Sequence, residues 1–574
     1  MPKVKILPDN ITKEVYDGKN LLEVIRESGV YIDAICSGKG TCKKCKVRVD
    51  KDIVLACEKK IEKDIEVEII NKDNLGSYKG NVNIEIKNSD PIVTKTYLKI
   101  DKPTLKDQES DIERITRKFN HQVKIENNII PKMHDTLIKS DYEITLTIIN
   151  NTIINIQKNN TENKNYAISI DLGTTTVGGY LIDVCSQMVI DSYSYTNLQK
   201  PYGADVISRI NFAIQDEQNL EKLQTLAIES INIVINKLIE NKNIDKENIN
   251  IVSIVGNTTM SHLLLKTTPK GISKSPFNPV FRHMIEGKIS ELGIKGLSNH
   301  TRFILLPNIG GYVGSDTLGV VIGADILNKE GNHLVIDIGT NCEIALKTNK
   351  KLLAASTSAG PAFEGANMKC GLRAENGAIY SCEIDKDIYI KTIGDEKAKG
   401  ICGSGYIDIV TKLIQNNIIK KQGRILEPNK LNINDNIKNR IIKEEKQLKI
   451  VLDKNDIIIT QQDISNLQLA KGAIKAAIEI LMLEANIDEL DNIYLAGAFG
   501  SNINIDNLKT IKMIPNIENE KIIILGNGAA SGAIKVILSS EIYEKIYNLS
   551  KKIEHIELSN HENFQSKFIK GIMF

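Results

Sequence analysis

The 574-residue sequence has no tryptophan, no apolar run long enough to cross a bilayer and no excess of either charge. Its 74 basic and 72 acidic side chains leave a net charge of +2, and no Lys/Arg run is interleaved with aromatic residues. This balance gives no indication of nucleic-acid or anionic-membrane binding. The N-terminal residues also lack the apolar core of a signal peptide. We therefore expect a cytoplasmic protein without a membrane partner, and the missing tryptophan carries no functional conclusion.

Cysteine is sparse except in one stretch. Four of the nine cysteines have the spacing C-x5-C-x2-C-x11-C, and these are Cys36, Cys42, Cys45 and Cys57. Four thiolates can hold either a structural zinc or a [2Fe–2S] cluster. A zinc ribbon usually pairs two C-x2-C knuckles, whereas here three cysteines share one glycine-bearing loop and the fourth follows alone. The spacing therefore favours [2Fe–2S] over zinc.

The remaining cysteines are scattered singly through the chain. They are Cys185, Cys342, Cys370, Cys382 and Cys402. In a reducing compartment we expect them to be small buried hydrophobic residues rather than disulfide partners.

A chain of this length exceeds one core, so several domains are expected. Residues 1–71 read as two strands, a helix, the cysteine loop and further strands, the order of a β-grasp ferredoxin. Residues 72–91 are polar and glycine-bearing and are predicted to be a flexible linker. Residues 92–162 are predicted to form a small α/β domain with a strand, a helix opened by Pro103 and a hairpin around Asn150-Asn151.

The rest of the chain, residues 163–574, contains a repeated pattern. The segments YAISIDLGTTTVGGYLID (166–183) and HLVIDIGTNCEIALKTN (333–349) each place an apolar strand before Asp-x-Gly-Thr and a second strand after it. Two such units predict a duplicated, two-lobed α/β domain whose lobes face each other across a cleft.

The D-x-G-T turns predict phosphate binding. Gly173 and Gly339 would allow tight turns that bring backbone N–H groups against phosphate oxygens. The hydroxyls of Thr174, Thr175 and Thr340 would add donors, while Asp171 and Asp337 would face Mg²⁺, a cation that prefers carboxylates, water and phosphate oxygens. Two ordinary hairpin turns are the alternative explanation, and the repetition disfavours it.

Further glycine turns follow strand-like runs near the C-terminus. In IYLAGAFGS (493–501), the small residues Gly497, Ala498 and Gly500 would let adenine and ribose lie against the backbone. KIIILGNGAASGA (521–533) and GICGSGYIDIV (400–410) are predicted to open helices, and residues 465–485 a core helix.

The D-x-G-T pair together with LAGAFG and GNGAASGA resembles the acetate and sugar kinase, heat-shock chaperone and actin superfamily. More specifically, the chain resembles the reductive activators of corrinoid proteins, which combine a [2Fe–2S] domain, a linker, a small middle domain and an actin-like ATPase. The resemblance includes the runs YGADVISRI, VGNTTMSHLLL, SPFNPVF, LPNIGGYVGSD and SAGPAFEGANMKCGLRAENGAI, and extends over nearly the whole chain. The eleven-residue return from Cys45 to Cys57 is shorter than is typical of that family.

The resemblance implies an activity. With ATP, a family member transfers an electron from its [2Fe–2S] cluster to the Co(II) of an inactivated corrinoid protein and restores Co(I). It also implies a low-potential electron donor and a homodimer. Asp205 in YGADVISRI is the candidate for orienting the hydrolytic water, although it could equally cap the following helix. A redox-regulated small-molecule kinase and a non-catalytic redox sensor are the alternatives.

Overall fold

The computed structural model describes residues 1–7, 10–28, 30, 32, 40, 45–50, 52–69, 82, 84, 89–360, 363, 365, 368–444, 447–453, 457–497 and 503–574. These residues divide into two compact units. The first comprises the described residues of 1–79, 84–319 and 529–550, and the second those of 80–83, 320–528 and 551–574. None of the helices in these ranges is long and apolar enough to cross a membrane.

The N-terminal residues of the first unit form a five-stranded sheet in the order β2-β1-β7-β4-β5. Its elements are β1 (Lys3–Leu7), β2 (Ile11–Glu14), β3 (Lys19–Asn20), α1 (Leu21–Glu27), β4 (Lys46–Val49), β5 (Asp52–Leu55), β6 (Lys60–Ile61) and β7 (Ile65–Ile69). Strands β1, β4 and β7 alternate exposed and buried residues, because one face of the sheet covers the helix-side core. Hairpin β1-β2, helix α1 and the parallel pair β1-β7 give the predicted β-grasp arrangement.

A small four-stranded sheet follows in the order β8-β10-β11-β9. Its elements are β8 (Val93–Lys99), α2 (Asp111–Thr116), β9 (Lys124–Ile125), α3 (Ile130–Lys139), β10 (Glu143–Ile149) and β11 (Thr152–Lys158). The β10-β11 hairpin turns at Asn150 and Asn151, both with positive φ, as the sequence predicted.

The predicted helix from Pro103 is wrong over its first half. Leu105 is 96% exposed, and helix α2 begins only after Ser110, whose side chain forms a capping box with Glu113. The helical spacing of Leu105 with Ile112 was therefore accidental. Helix α3, which the sequence analysis missed, supplies Met133 and Leu137 to the core of this sheet.

The first unit then contains a six-stranded sheet in the order β14-β13-β12-β15-β17-β16. The elements are β12 (Tyr166–Leu172), β13 (Thr176–Asp183), β14 (Met188–Thr196), α4 (Val206–Ala213), α5 (Glu217–Lys242), β15 (Ile249–Val255), α6 (Thr258–Leu264), β16 (Ile285–Lys288), β17 (Arg302–Leu305) and α7 (Ser315–Gly323). Helix α5 packs on β13 and β14 and buries residues such as Leu223, Ile231 and Val234.

The second unit contains a sheet in the order β28-β27-β18-β19-β20-β29. The elements of this unit are β18 (His333–Ile338), β19 (Cys342–Lys347), β20 (Leu352–Thr357), β21 (Ala378–Ile384), β22 (Ile388–Thr392), β23 (Gly400–Ile401), α8 (Gly403–Gln415), α9 (Asp435–Asn439), β24 (Ile441–Glu444), β25 (Gln447–Asp453), β26 (Ile457–Thr460), α10 (Gln461–Ala485), β27 (Asn492–Ala496), α11 (Ile505–Thr510), β28 (Ile522–Gly526), β29 (Glu554–His555) and α14 (Phe564–Ile572). Helices α12 (Gly528–Leu538) and α13 (Ser540–Lys552) belong almost entirely to the first unit. The predicted helix openings at α8 and α12 and the core helix α10 are confirmed.

The two large sheets share one topology. In the first, β12 pairs antiparallel with β13 and parallel with β15, and in the second, β18 pairs antiparallel with β19 and parallel with β27. Asp171 and Asp337 are each the second-last residue of the corresponding central strand. The structure thus confirms the duplication, while a cleft between the lobes stays a prediction.

Three of the five single cysteines are buried, as expected. Cys342, Cys382 and Cys402 are buried and Cys370 is half-buried, whereas Cys185 is exposed, so its predicted burial is wrong. Cys185 follows β13 at its junction with the turn to β14, where the chain returns to the surface.

Candidate functional site

The register of hairpin β4-β5 explains how a short return can bring two cluster cysteines together. Lys46 pairs with Leu55, and the N–H of Ala56 donates to the carbonyl of Cys45 at 2.8 Å. Cys57 therefore follows immediately after the residue opposite Cys45. The Asn20 side chain fixes this return by donating to the Cys57 carbonyl at 2.8 Å.

Both of these thiols lie at the same apolar core. Cys45 is fully buried and Cys57 is half-buried against it. Soft sulfur ligands in an apolar shell suit a [2Fe–2S] cluster. Cys36 and Cys42 lie outside the described residues, so the complete four-cysteine ligand set stays a prediction.

The first D-x-G-T turn connects β12 to β13 in the first unit. A Cβ on Gly173 would lie 2.6 Å from the carbonyl oxygen of Thr176, so this tight turn requires glycine. Thr174 is buried, and its hydroxyl accepts a hydrogen bond from the Asn257 side chain at 2.9 Å. Asp171 and Thr175 are half-buried at the same turn.

Two loops from later in the chain lie against this turn. A Cβ on Gly256 would be 2.7 Å from the Leu172 carbonyl oxygen, and the Ser315 N–H donates to the Gly256 carbonyl at 3.0 Å. Helix α7 begins at Ser315, and its second residue, Asp316, is brought close to Asp171. The carboxyl ends of β12 and β15 thus share one edge of the sheet with the start of α7.

Asp316 is a site residue that the sequence analysis did not single out. Burial, followed by the negative charge of Asp171, raises the pKa of Asp316 to about 7, although the N–H of Thr317 donates to its carboxylate at 2.7 Å. Two neighbouring carboxylates that resist joint ionisation are a suitable environment for a cation.

The motif YGADVISRI contains Asp205, for which the sequence left a catalytic and a capping role open, and Arg209, which the sequence did not single out. Asp205 is exposed and forms the N-cap of α4, accepting from the Ser208 N–H at 2.7 Å. Arg209, one helical turn later, is fully buried and its guanidinium donates to the Thr174 carbonyl. The catalytic role of Asp205 stays a prediction, whereas Arg209 directly contacts the first D-x-G-T turn.

The second D-x-G-T turn connects β18 to β19 in the second unit. The Gly339 N–H donates to the Asn341 carbonyl at 3.0 Å and so closes the turn itself, which removes this N–H from the predicted phosphate donors. Thr340 is buried and Asp337 half-buried. Asp337 pairs across the strands with Glu343, so the two carboxylates lie on the same face of the sheet.

Gly497 lies at the same edge of this second sheet. Parallel pairing of Asp337 with Ala496 brings the end of β27 beside the D-x-G-T turn. Gly497 has a φ of +97°, and a Cβ there would lie 2.4 Å from the Ile338 carbonyl oxygen and 2.8 Å from Asp337 Oδ1. Gly497 of the predicted adenosine turn therefore lies against the second D-x-G-T turn, while Ala498 and Gly500 lie outside the described residues.

Four family models together match nearly the whole chain, and so do some known proteins. Family models match a 2Fe-2S iron-sulfur cluster binding domain over residues 4–70, the RACo linker region over 85–163, the RACo middle region over 166–329 and the C-terminal ASKHA domain of RACo over 331–574. The corrinoid activation enzyme RamQ of Eubacterium limosum is 31% identical over 96% of this chain and 95% of its own. The chain belongs to the family of corrinoid-protein reductive activators.

Two further proteins agree with this family. The [Co(II) methylated amine-specific corrinoid protein] reductase of Methanosarcina barkeri is 26% identical, over 70% of this chain and 76% of that protein. A solved reductive activator for corrinoid, iron-sulfur protein has a TM-score of 0.78 and 29% identity, covering 100% of this chain and 98% of the other. By the family models, this chain has a [2Fe–2S] domain and a nucleotide-binding domain of the acetate and sugar kinase, heat-shock chaperone and actin superfamily, as the sequence predicted.

Proposed function

We propose that this activator uses ATP to return an inactivated corrinoid protein from Co(II) to Co(I). The carrying observation is that a [2Fe–2S] domain and a duplicated phosphate-turn fold occur on one chain that aligns over 96% of its length with a corrinoid activation enzyme. The reaction consumes one electron for each cobalt. The cluster, when bound, supplies that electron, and a low-potential one-electron donor replaces it.

The nucleotide is proposed to bind at the two D-x-G-T turns. Asp171, Gly173, Thr174, Thr175, Asp337, Gly339 and Thr340 would surround Mg-ATP phosphates, and Gly497, Ala498 and Gly500 would line the adenosine. Support comes from the glycine-dependent geometry at Gly173 and Gly497, where a Cβ would meet backbone oxygens at 2.6 and 2.4 Å. The neighbouring carboxylates Asp171 and Asp316 support the proposed Mg²⁺.

The group that orients the hydrolytic water has two candidates. Asp205 was proposed from the sequence, and its capping contact with Ser208 leaves that role open. Asp316 has the advantage of lying near Asp171, beside the phosphate turn. The two carboxylates can be distinguished by separate substitution to asparagine.

ATP is needed because Co(II) reduction lies at a very low potential. An electron from a ferredoxin-type cluster must go uphill, and each 59 mV of mismatch costs about a factor of ten in equilibrium. Nucleotide binding or hydrolysis must therefore favour a state of the complex in which cobalt is easier to reduce, which is a coupling free energy between two sites. We also propose a homodimer, which light scattering of the purified protein would test.

The deciding experiment follows Co(I) formation. The anaerobic, cluster-loaded protein is mixed with a Co(II) corrinoid protein, a low-potential donor and Mg-ATP, and Co(I) is measured by its absorption. We expect Co(I) to appear with ATP and not with ADP. Equal rates without ATP, or no Co(I) with any corrinoid protein tested, would contradict the proposal.

A second measurement separates the alternatives. A redox-regulated kinase would release a phosphorylated small molecule, detectable with γ-labelled ATP, and would form no Co(I). A redox sensor would bind nucleotide without either product. Metal analysis that found zinc without iron or acid-labile sulfide would remove the electron-transfer role.

A further inference from the structure

The backbone carbonyls of the first D-x-G-T turn accept hydrogen bonds from two later segments of the chain. The Asn197 side chain donates to the Gly173 carbonyl at 2.8 Å, and the Asn197 N–H donates to the Thr175 carbonyl at 2.9 Å. Between them, the Arg209 guanidinium donates to the Thr174 carbonyl. Three successive carbonyls of the turn are thus occupied by donors from Asn197 and Arg209.

This arrangement fixes the direction of the turn's N–H groups. In a planar trans peptide, the C=O and the N–H point in opposite directions. Since the Gly173 carbonyl points at Asn197, the Thr174 N–H points away from it. Since the Thr174 carbonyl points at Arg209, the Thr175 N–H likewise points away. Two consecutive N–H groups therefore point away from the donors that hold the turn, Asn197 for the first and Arg209 for the second, as an anion-binding turn requires.

Arg209 is held rigidly in this position. Its side chain is fully buried, its Nε donates to the Gly203 carbonyl at 2.9 Å, and one terminal nitrogen donates to Gln199 Oε1 at 3.0 Å. Gly203 fits only as glycine, because a Cβ would lie 2.6 Å from the Arg209 backbone nitrogen. Gln199 is in turn fixed by donating to the Leu223 carbonyl at 2.8 Å.

The acceptors of Arg209 among the described residues are all uncharged. They are the carbonyls of Gly203 and Thr174, the amide of Gln199 and, at 3.2 Å, the Met260 sulfur. Burial lowers the pKa of Arg209 to about 9, and Asp205 opposes that shift only through its charge. By contrast Arg114, which is equally buried, forms an ion pair with Asp107 at 2.6 Å. A nearby anion stabilises a buried guanidinium that has no carboxylate bonded to it, because it offsets the cost of burying the charge.

We propose that Arg209 is a positioning residue for the nucleotide phosphates: its fork orients the N–H groups of Thr174 and Thr175, and its charge is balanced by the bound phosphate. This inference rests on the proposed binding of ATP to the D-x-G-T turns. It gives the family-typical run YGADVISRI a physical role that the capping residue Asp205 does not supply.

The test compares Arg209→Lys and Arg209→Met with Arg114→Met as the control for losing a buried guanidinium. On the full-length, cluster-loaded protein, the affinity for ATP is measured by calorimetry, and the affinity for adenosine by competition against ATP. We expect ATP affinity to fall about tenfold or more in Arg209→Met and less in Arg209→Lys, because lysine keeps the charge but loses the fork. Adenosine affinity should stay within about twofold, since its contacts do not use this turn.

The outcomes separate positioning from general damage. A parallel loss of ATP and adenosine affinity, or ATP affinity unchanged in Arg209→Lys and Arg209→Met, would overturn the proposal. If Arg209→Met lacks the cluster absorption and does not fold, Arg209→Lys decides, by whether its ATP affinity falls more than its adenosine affinity. Arg114→Met should bind both ligands as the wild type does. Absence of ATP binding by the wild type would instead contradict the proposed function.

Discussion

Replacing Gly497 by alanine tests whether the second phosphate turn and the adenosine turn form one site. Gly497 has a φ of +97°, and its N–H donates to the Gly526 carbonyl at 2.9 Å, which ties β27 to β28 at the sheet edge. Alanine in a left-handed conformation costs about 1–2 kcal/mol. Its methyl group would also lie 2.4 Å from the Ile338 carbonyl oxygen and 2.8 Å from Asp337 Oδ1.

The clash adds to the backbone strain. Forcing an extra methyl into a packed site costs about 1–3 kcal/mol. We therefore expect Gly497→Ala to destabilise the second unit by about 2–5 kcal/mol in total. Relief of the clash requires movement of Asp337 or of the Ile338 peptide, and ATP affinity should fall by about tenfold or more.

Gly293→Ala is the matched control. Gly293 also has a positive φ, +78°, but a Cβ there would meet only an Ile228 methyl at 3.6 Å, an ordinary contact. This variant should lose only the strain of about 1–2 kcal/mol and keep its ATP affinity.

The assay combines calorimetric ATP titration with thermal unfolding. The chain has several domains, so the relevant transition is the one whose Tm rises with ADP. Gly497→Ala should lower that Tm more than Gly293→Ala does. Wild-type ATP affinity in Gly497→Ala would refute the reasoning, since it would mean that the contact with Asp337 does not shape the nucleotide site.

Three further predictions concern other parts of the chain. Cys57→Ser should abolish both the visible absorption of the cluster and Co(I) formation. The control Cys185→Ser, at an exposed cysteine, should change neither. Asp205→Asn should lower kcat for ATP hydrolysis if this carboxylate orients water, because asparagine still caps the helix; Asp216→Asn, at the N-cap of α5, should leave kcat unchanged. Burial, and secondarily the charges of neighbouring lysines, lower the pKa of His300 from 6.5 to about 4. Because the unfolded chain takes up this proton at higher pH than the folded chain, the contribution of His300 to the free energy of unfolding should fall by about 3 kcal/mol between pH 6.5 and 4. In urea unfolding, His300→Gln should lose that part of the pH dependence, and an unchanged slope would contradict the assignment.

The sequence was most informative where local chemistry decides structure. The D-x-G-T turns, the adenosine-turn glycine and the openings of α8 and α12 follow from glycine and small residues placed after apolar strands. The error at Pro103 had a visible correction in the sequence, because Ser110 and Glu113 have the spacing of a capping box. Helix α3 was also readable from Met133 and Leu137, four residues apart behind a proline.

The contacts that complete the first site could not be predicted in this way. Arg209 reaches Thr174 across 35 positions, and Asn257 reaches the same residue across 83. Asp316 comes near Asp171 only because α7 starts beside the loop that follows β15. No local pattern encodes which carboxylate or guanidinium a folded loop will meet.

The sequence by itself indicated the chemistry of this protein: a cluster of cysteines near the N-terminus, and a duplicated D-x-G-T turn in roughly the C-terminal four hundred residues. Those features depend on residue type and short spacing, which the chain carries before it folds. The tertiary structure alone decided that Cys57 follows the residue opposite Cys45, that Asp316 comes near Asp171, and that Arg209 donates to the Thr174 carbonyl. Each of these contacts depends on strand register or on the packing of segments that are distant in the sequence, which residue type and short spacing do not specify.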